Sequence, residues 1–267
     1  MKKMQVWKGS RNMKPLEIKH RVIGGGEPLI CVPVVEQDAQ SVIREITYLS
    51  QSTADMIEWR VDAFRDFTDY NAIRSVFEAV APLLGEKLFL YTFRTAHQGG
   101  MAQVKAEQLD DLHDLAAESG CVDLVDLEFF EEDRPLHKIK RLREMGVSVI
   151  ASHHDFEQTP SPEVMKMLLE KMCAGGADIV KLAVMPQNYK DVLNLLDVTA
   201  QFREENPDTP VITMSMGSLG GISRISGETF GSCVTFGAHE KPSAPGQFAM
   251  KELRQMLDTI HASSQIQ

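Results

Sequence analysis

The chain has 267 residues, of which 43% are hydrophobic and 25% are charged, and its formal net charge at pH 7 is -10. This composition is typical of a globular protein with a large core, and the acidic excess disfavours binding to nucleic acid or to an anionic membrane surface. The four cysteines include no CxxC pair, and no apolar run reaches the ~20 residues of a membrane-spanning helix, so we expect a cytoplasmic protein with reduced thiols.

Eight apolar runs are predicted to form β-strands, and stretches with helical periodicity lie between them. The strands are predicted at residues 29–35, 56–62, 88–94, 124–130, 147–155, 179–185, 211–216 and 233–237. The clearest helical stretches are residues 40–51, 103–120, 161–176 and 189–206. This regular alternation, with about 30 residues per repeat, predicts parallel βα units.

The whole chain, residues 1–267, is predicted to be one α/β domain with the fold of a (β/α)8 TIM barrel. An open doubly wound sheet is the alternative, which the absence of a GxGxxG motif after an early strand disfavours. Residues 1–28 precede the first barrel strand. We expect them to form a β-hairpin, with strands near residues 5–7 and 18–22, that closes the bottom of the barrel.

Polar and bulky apolar side chains alternate along the second to seventh strand-like runs. Because alternate residues of a barrel strand face the lumen and the helices, we assign the bulky apolar residues to the helices and the polar residues to the lumen. The predicted lumen set is Glu58, Arg60, Asp62, Thr92, Arg94, Asp126, Glu128, Ser152, His154, Lys181, Thr213 and Ser215. So many ionisable groups are unfavourable in a core. Most lie in the second half of their strands, where (β/α)8 barrels build active sites.

Lys181 lies in the apolar run 179-IVKLAVM-185, and burial there favours the uncharged amine, as do the nearby cations Arg60 and Arg94. A free amine attacks a ketone to form an imine, which then acts as an electron sink. His154 is the candidate base for a proton next to the former carbonyl. The two arginines are candidate ligands for an anionic substrate such as a carboxylate.

This chemistry requires no metal ion and no cofactor. The segment His153-His154-Asp155 offers metal-binding side chains, but adjacent residues of a strand point to opposite faces. We therefore do not expect these three residues to share a metal ion.

Seven segments, in order and over nearly the whole chain after the N-terminal hairpin, resemble the type I 3-dehydroquinate dehydratase family. They are EWRVD (58–62), FRT (93–95), SHHDF (152–156), KLAVMPQ (181–187), TMSMG (213–217), SR…GE.FGS.VTFG (223–237) and SAPGQ (243–247). Members of that family are (β/α)8 barrels, usually homodimers, that remove water from 3-dehydroquinate in the shikimate pathway through an imine. The resemblance therefore implies a homodimeric lyase with a small-molecule substrate and no cofactor.

The resemblance also implies a role for each matching residue. Lys181 would form the Schiff base, and His154 would act as general acid and base in a syn elimination. The substrate-binding residues would be Glu58, Arg60, Arg94, Arg224, Ser243 and Gln247. Of these, Arg224 would pair with the carboxylate of the substrate. The last two would lie on a loop at residues 238–248 that closes over the site and excludes water.

The run 94-RTAHQGG-100 departs from the family pattern. The family commonly has a glutamate just before the Gly-Gly pair, close to the catalytic histidine, and Gln98 stands at that position here. A glutamine can hydrogen-bond an imidazole but cannot carry a charge. We therefore expect Gln98 to leave the chemistry intact and to alter the pH profile of His154, unless His97 or another acid compensates.

Two other functions are compatible with the same residues. Another imine-forming aldolase on this fold would share Lys181, and the glycines of 217-GSLGG-221 could then serve a phosphate site. A non-catalytic sensor of small acids would keep the pocket, and Gln98 is the residue that favours it. The sequence also leaves open whether the enzyme serves aromatic biosynthesis or quinate breakdown, because both use this step.

Overall fold

In the computed structural model, which describes residues 16–265, eight strands alternate with helices as the apolar runs predict. The strands are β1 (Leu16–Ile18), β2 (Arg21–Ile23), β3 (Leu29–Val34), β4 (Met56–Arg60), β5 (Leu88–Thr92), β6 (Leu124–Glu128), β7 (Ser148–Asp155), β8 (Ile179–Val184), β9 (Val211–Ser215) and β10 (Val234–Phe236). The α-helices are α1 (Ala39–Ser50), α2 (Tyr70–Val80), α3 (Ala106–Glu118), α4 (Pro135–Glu144), α5 (Pro162–Ala174), α6 (Tyr189–Glu205), α7 (Gly221–Ile225), α8 (Gly227–Phe230) and α9 (Met250–Ser264). Within these residues no helix is both long enough and apolar enough to cross a membrane.

The strands β3 to β10 form one parallel sheet in which neighbours along the chain are neighbours in space. β10 pairs with β3, with Phe236 opposite Cys31. On the other side, Val211 of β9 forms a parallel bridge with Ser232, directly before β10. The sheet therefore closes on itself with the helices outside. This confirms the predicted (β/α)8 barrel and excludes the open doubly wound sheet.

The strands from β4 to β8 present their side chains as the alternation predicts. Their bulky apolar residues pack against the helices; Trp59, for example, meets Phe77 of α2 edge to face, with ring centroids 5.3 Å apart. The lower half of the lumen is filled by a separate apolar cluster that includes Leu124 and Ile179. Two residues further along these strands come Asp126 and Lys181, so an ionisable layer lies directly above an apolar one.

β9 has the opposite orientation to the one predicted. Met214 belongs to the lumen cluster, whereas the hydroxyl of Thr213 lies 2.7 Å from the hydroxyl of Thr199 on α6. The backbone N–H of Ser215 donates to Oγ of Ser223 at 2.9 Å. The prediction was wrong because it assumed that polar residues face inward; here Met214 and Met216 face the lumen, and the hydroxyl of Thr213 finds its partner on the helical side.

The N-terminal hairpin closes the bottom of the barrel. β1 and β2 pair antiparallel, with Leu16 opposite Ile23, and both residues pack in or against the lumen cluster. Nζ of Lys19, in the turn, donates to the carbonyl of Lys87 and to Asp123, both at 2.8 Å and both just before barrel strands.

The hairpin strands differ from those predicted. Residues 18–22 contain the turn itself, and Lys19 has a left-handed φ of 53° there. The short polar dipeptide after Ile18 reverses the chain, so the two strands lie closer together in sequence than expected. The other predicted strand, at residues 5–7, lies outside the described residues.

Asp55 ties three parts of the barrel bottom together. Its carboxylate accepts from Nη1 of Arg21 at 2.8 Å and from the backbone N–H of Ile30 at 2.9 Å. It also pairs with Arg254 of α9. The hairpin, the first barrel strand and the last helix thus share one buried carboxylate.

Replacing Asp55 should therefore destabilise the fold. We expect Asp55→Ala to lower the free energy of unfolding by about 2–4 kcal/mol, because two arginines and one buried N–H lose their acceptor. Urea denaturation followed by circular dichroism measures this difference. The control is Asp66→Ala, which removes an exposed acid and should change stability by less than about 0.5 kcal/mol. Equal stabilities of the two variants would contradict the role given to Asp55.

Candidate active site

A cavity opens above the ionisable layer of the lumen, at the carboxyl ends of the barrel strands. Eight of the residues predicted from the sequence lie in its wall: Glu58, Arg60, Arg94, Gln98, His154, Lys181, Ser243 and Gln247. Arg224, also predicted, is not part of this wall. The folded chain thus brings together residues from β4, the segment after β5, β7, β8 and the loop before α9.

Lys181 points into the lumen because the residues on either side of it in β8, Val180 and Leu182, face the helices. Its side chain is 4% exposed, and Nζ lies 3.0 Å from Oδ2 of Asp126. Nζ also lies 4.6 Å from the ring centroid of Phe236. The amine is therefore buried, held by one carboxylate and directed at the cavity.

Asp126 joins the charged groups of the site into one network. Its Oδ1 accepts from Oγ of Ser152 at 2.6 Å and pairs with Nη2 of Arg94 at 2.8 Å. Burial alone would raise the pKa of Asp126, but Arg94 and Lys181 outweigh burial and hold the pKa well below its usual range. Nη1 of Arg94 in turn donates to Glu128 at 2.9 Å.

These pairs correct one expectation about the surroundings of Lys181. The sequence argument treated Arg60 and Arg94 as an excess of positive charge near the amine. In the structure both arginines are paired, Arg60 with Asp62 and Arg94 with Asp126 and Glu128. Asp62 lies two residues after Arg60 in the same segment. Asp126 and Glu128 instead reach Arg94 because β6 lies next to β5 in the sheet.

Glu58 and Arg60 are each held by a fixed partner. Arg60 donates from Nε and Nη2 to the two carboxylate oxygens of Asp62, both at 2.8 Å. Glu58 accepts from Oγ1 of Thr92 at 2.8 Å. Asp62 also accepts from the backbone N–H of Met101 at 3.0 Å, which secures the loop after β5. Both predicted binding residues are thus preorganised at the cavity wall.

His154 is oriented by Gln98. Oε1 of Gln98 lies 2.9 Å from the backbone nitrogen of His154 and 3.0 Å from its Nδ1. An amide oxygen only accepts hydrogen bonds, so Nδ1 carries the ring proton and Nε2 keeps a lone pair. Burial, together with Arg94 and Lys181, lowers the pKa of His154 well below its ordinary value. The imidazole is therefore neutral at neutral pH and can act as a base.

The two adjacent histidines point to different sides, as predicted. His153 packs edge to face against Phe130, with ring centroids 5.4 Å apart, whereas His154 lies in the cavity wall. Within residues 16–265, no group of three or more His, Cys, Asp or Glu side chains is arranged to hold a metal ion.

Arg224 on α7 is a buried cation with unsatisfied donors. The residue is 1% exposed, and within the described residues its Nε and Nη1 have no hydrogen-bond partner. Nη2 donates to the carbonyl of Pro245, in the loop before α9, at 3.0 Å. Burial lowers the pKa of Arg224 to about 10, so the group stays charged at neutral pH. A buried unpaired cation is unfavourable, and an anion bound nearby would satisfy it.

The loop before α9 contributes Ser243, Ala244 and Gln247 to the cavity wall. The backbone N–H of Ser243 donates to Oε1 of Gln247 at 2.8 Å, and Nε2 of Gln247 donates back to the hydroxyl at 3.0 Å. Gly246 has a φ of 78°, and a Cβ there would lie 2.3 Å from the carbonyl oxygen of Gly217. Glycine is thus required where this loop approaches the loop after β9.

Sequence reasoning missed the apolar part of the wall. It consists of Phe156, Ala183, Met214, Met216 and Phe236. The available signal for the two methionines was their spacing, since residues two apart in a strand share a face. The prediction from polarity assigned the face of the two methionines to the helices. The contact between the hydroxyls of Thr213 and Thr199 shows that this face instead turns to the lumen.

The chain is similar to known proteins over most of its length. The sequence model described as type I 3-dehydroquinase matches residues 30–264. The 3-dehydroquinate dehydratase of Syntrophotalea carbinolica is 41% identical over 250 residues, which cover 93% of this chain and 99% of that protein. The 3-dehydroquinate dehydratase of Listeria monocytogenes serotype 4a is 42% identical over the same shares of the two chains.

Solved structures give the same result. The type I 3-dehydroquinate dehydratase of Clostridium difficile superposes with a TM-score of 0.90 at 38% identity, covering 94% of this chain and 98% of that one. The 3-dehydroquinate dehydratase of Geobacillus kaustophilus gives a TM-score of 0.91 at 35% identity, with the same coverage. The chain therefore belongs to the type I 3-dehydroquinase family.

Proposed function

We propose that this chain, a hydro-lyase by its family membership, converts 3-dehydroquinate to 3-dehydroshikimate through an imine on Lys181. The observation that carries the proposal is the pairing of a buried amine with a neutral base in one cavity. Nζ of Lys181 lies beside Asp126, and Nε2 of His154 is left unprotonated by the contact between Nδ1 and Gln98. The C. difficile relative has been solved with covalent modified comenic acid, and covalent attachment is what a nucleophilic lysine predicts.

The imine forms first. Lys181, as the free amine, attacks the C3 carbonyl of the substrate, and His154 moves protons while the carbinolamine loses water. The product of this step is a protonated imine, and its positive charge replaces that of the lysine ammonium beside Asp126. The carboxylate that balances the resting lysine thus also stabilises the intermediate.

Elimination follows on the same face. His154 removes a proton from C2, and the electron pair enters the protonated imine to give an enamine. The enamine then expels the C1 hydroxyl, which leaves as water with the proton that His154 carries. Hydrolysis of the remaining imine releases 3-dehydroshikimate and restores Lys181. One molecule of water is lost overall, and one histidine serves as both base and acid, as a syn elimination requires.

The polar wall would bind the substrate. We assign the carboxylate of 3-dehydroquinate to Arg224, which lies outside the cavity wall but donates from Nη2 to Pro245 in the loop that contributes Ser243 and Gln247 to it. Its Nε and Nη1 have no partner among the described residues. Glu58 and Arg60 would contact hydroxyl groups, and Ser243 and Gln247 would do so from the loop. Arg94 already donates to Asp126, Glu128 and Ser152. We therefore give Arg94 the additional role of keeping Asp126 in place.

Trapping with borohydride tests the imine. Sodium borohydride added during turnover of 3-dehydroquinate should reduce the imine to a stable secondary amine, giving one adduct on Lys181 in intact mass and peptide mapping. Lys181→Ala should give no adduct, whereas Lys190→Ala, which removes an exposed lysine of α6, should keep it. Substrate turnover without an adduct would contradict the imine. Intact substrate with folded protein would instead contradict the proposed substrate.

Replacing Arg224 tests the carboxylate site. We expect Arg224→Gln to lower kcat/KM by about 100-fold, or about 2.7 kcal/mol, mainly through KM, because a buried charge pair with the substrate is lost. The thermal stability of the free protein should not fall, since Nε and Nη1 have no partner among the described residues. Arg65→Gln, which changes an exposed arginine, is the control. An unchanged KM would remove Arg224 from the binding site.

The pH profile tests the role of Gln98. Gln98→Glu places a carboxylate beside Nδ1 of His154 and should raise its pKa, so that the protonated ring, which cannot act as a base, persists to higher pH. The acidic limb of the kcat/KM profile should therefore move upward by about 1 pH unit. Gln103→Glu adds the same charge in the same loop and serves as the control. An acidic limb that does not move would contradict this assignment.

Several sequence-based expectations stay predictions. A homodimer, a cytoplasmic location and the absence of nucleic-acid partners rest on the resemblance and on composition. The sensor alternative rested on Gln98, but the contact of its Oε1 with Nδ1 of His154 supports a role of His154 as a base and so favours an enzyme. Turnover of 3-dehydroquinate distinguishes a dehydratase from both a sensor and an aldolase. Whether the enzyme serves biosynthesis or quinate breakdown is a question for a genetic experiment, because both pathways use this step.

A further inference from the structure

Gln98 contacts groups of opposite polarity at the two ends of its side-chain amide. Oε1 accepts from two N–H groups of His154, and Nε2 lies 3.5 Å from Oε1 of Glu131. Gln98 is 2% exposed, so water does not compete at the histidine end. Glu131 lies in the turn after β6, where its backbone N–H donates to the carbonyl of Glu128 at 3.1 Å, and its side chain is exposed.

The two contacts select the same orientation of the amide. A flipped amide would place its NH₂ group against the two donors of His154 and its oxygen against the carboxylate of Glu131. Both arrangements are repulsive. A carboxylate that accepts from Nε2 also polarises the amide and strengthens Oε1 as an acceptor. Glu131 thus favours the arrangement in which Nδ1 of His154 is protonated and Nε2 is free.

We propose that Glu131 is a positioning residue for the general base, and that it supplies, through the amide of Gln98, the negative charge that a carboxylate at position 98 would supply directly. This inference rests on the proposed function, because it assigns Glu131 to the step that His154 performs. Glu131 is not part of the wall of the active-site cavity. It therefore acts on the reaction through Gln98 and not through the substrate.

Several charged groups surround His154 and Glu131. The charged groups that face His154 are Arg60, Arg94, Asp126 and Lys181. Near Glu131 lie Glu128 and His153, and His97 and Glu132 line the same surface pocket as Glu131. In the described part of the chain, Glu131 is the acid within hydrogen-bond reach of the Gln98 amide nitrogen. Asp133 is an exposed acid in the same turn and provides a matched control for general loss of charge.

The test compares Glu131→Gln in two backgrounds. In the natural chain, Glu131→Gln should lower kcat by about two- to five-fold with KM unchanged and move the acidic limb of kcat/KM to lower pH, because a negative charge near His154 is lost. In the Gln98→Glu background, a carboxylate contacts Nδ1 directly, and the amide through which Glu131 acts is absent. Glu131→Gln should then move the acidic limb by much less than it does in the natural chain.

A shift that is present in the natural chain and largely disappears in the Gln98→Glu background distinguishes positioning through the amide from a structural role. A shift of equal sign and size in both backgrounds, or the same shift from Asp133→Asn, would overturn the proposal. Nitrogen-15 histidine spectra give an answer that does not depend on turnover. Glu131→Gln should raise the fraction of the His154 tautomer protonated at Nε2, and Asp133→Asn should not. An unchanged tautomer ratio would also overturn the proposal, whereas an inactive natural chain with the expected spectra would count against the proposed reaction alone.

Discussion

A buried carboxylate, Asp126, holds the charges of the active site together. It lies between Lys181 and Arg94 at 3.0 and 2.8 Å, distances at which opposite charges attract by roughly 5 kcal/mol with the effective dielectric of a protein. Without it, Lys181 would have no carboxylate partner among the described residues, and Arg94 would keep only Glu128. Arg94 also binds Glu128, which accepts from the backbone and hydroxyl of Thr95. The same network therefore fixes the start of the loop that carries Gln98.

The layers of the lumen give this network its setting. An apolar layer, sealed below by the hairpin, underlies the ionisable layer, so the charged groups lie on rigid strands away from bulk water. The methionines of β9 and Phe236 add an apolar wall at the same level as the charges. Because this apolar wall has no hydrogen-bond donors in its side chains, a polar ligand would be oriented by the polar side chains on the other side of the cavity. Preorganised charges in such a site need little rearrangement during a reaction.

The protonation state and the tautomer of His154 determine whether this site can carry out base catalysis. Burial and the neighbouring cations keep its imidazole neutral, while the contact with Gln98 decides which nitrogen carries the proton. Both conditions come from groups that are distant in sequence, because Gln98 and His154 are 56 residues apart. A glutamine meets the geometric demand as well as a glutamate does, and the charge that it lacks is present one hydrogen bond further away, on Glu131.

The sequence by itself determined the barrel, since eight apolar runs at regular spacing leave few other folds, and strand alternation placed Lys181 and His154 in the lumen. Those inferences need only local periodicity and the resemblance of motifs. Tertiary structure decided which charges pair, which face of β9 turns inward and that Arg224 has no carboxylate partner among residues 16–265. Lys181 and Asp126 are 55 residues apart, and their contact exists only because barrel closure sets the distance between strands. Pairing energies depend on that distance, which local patterns do not encode.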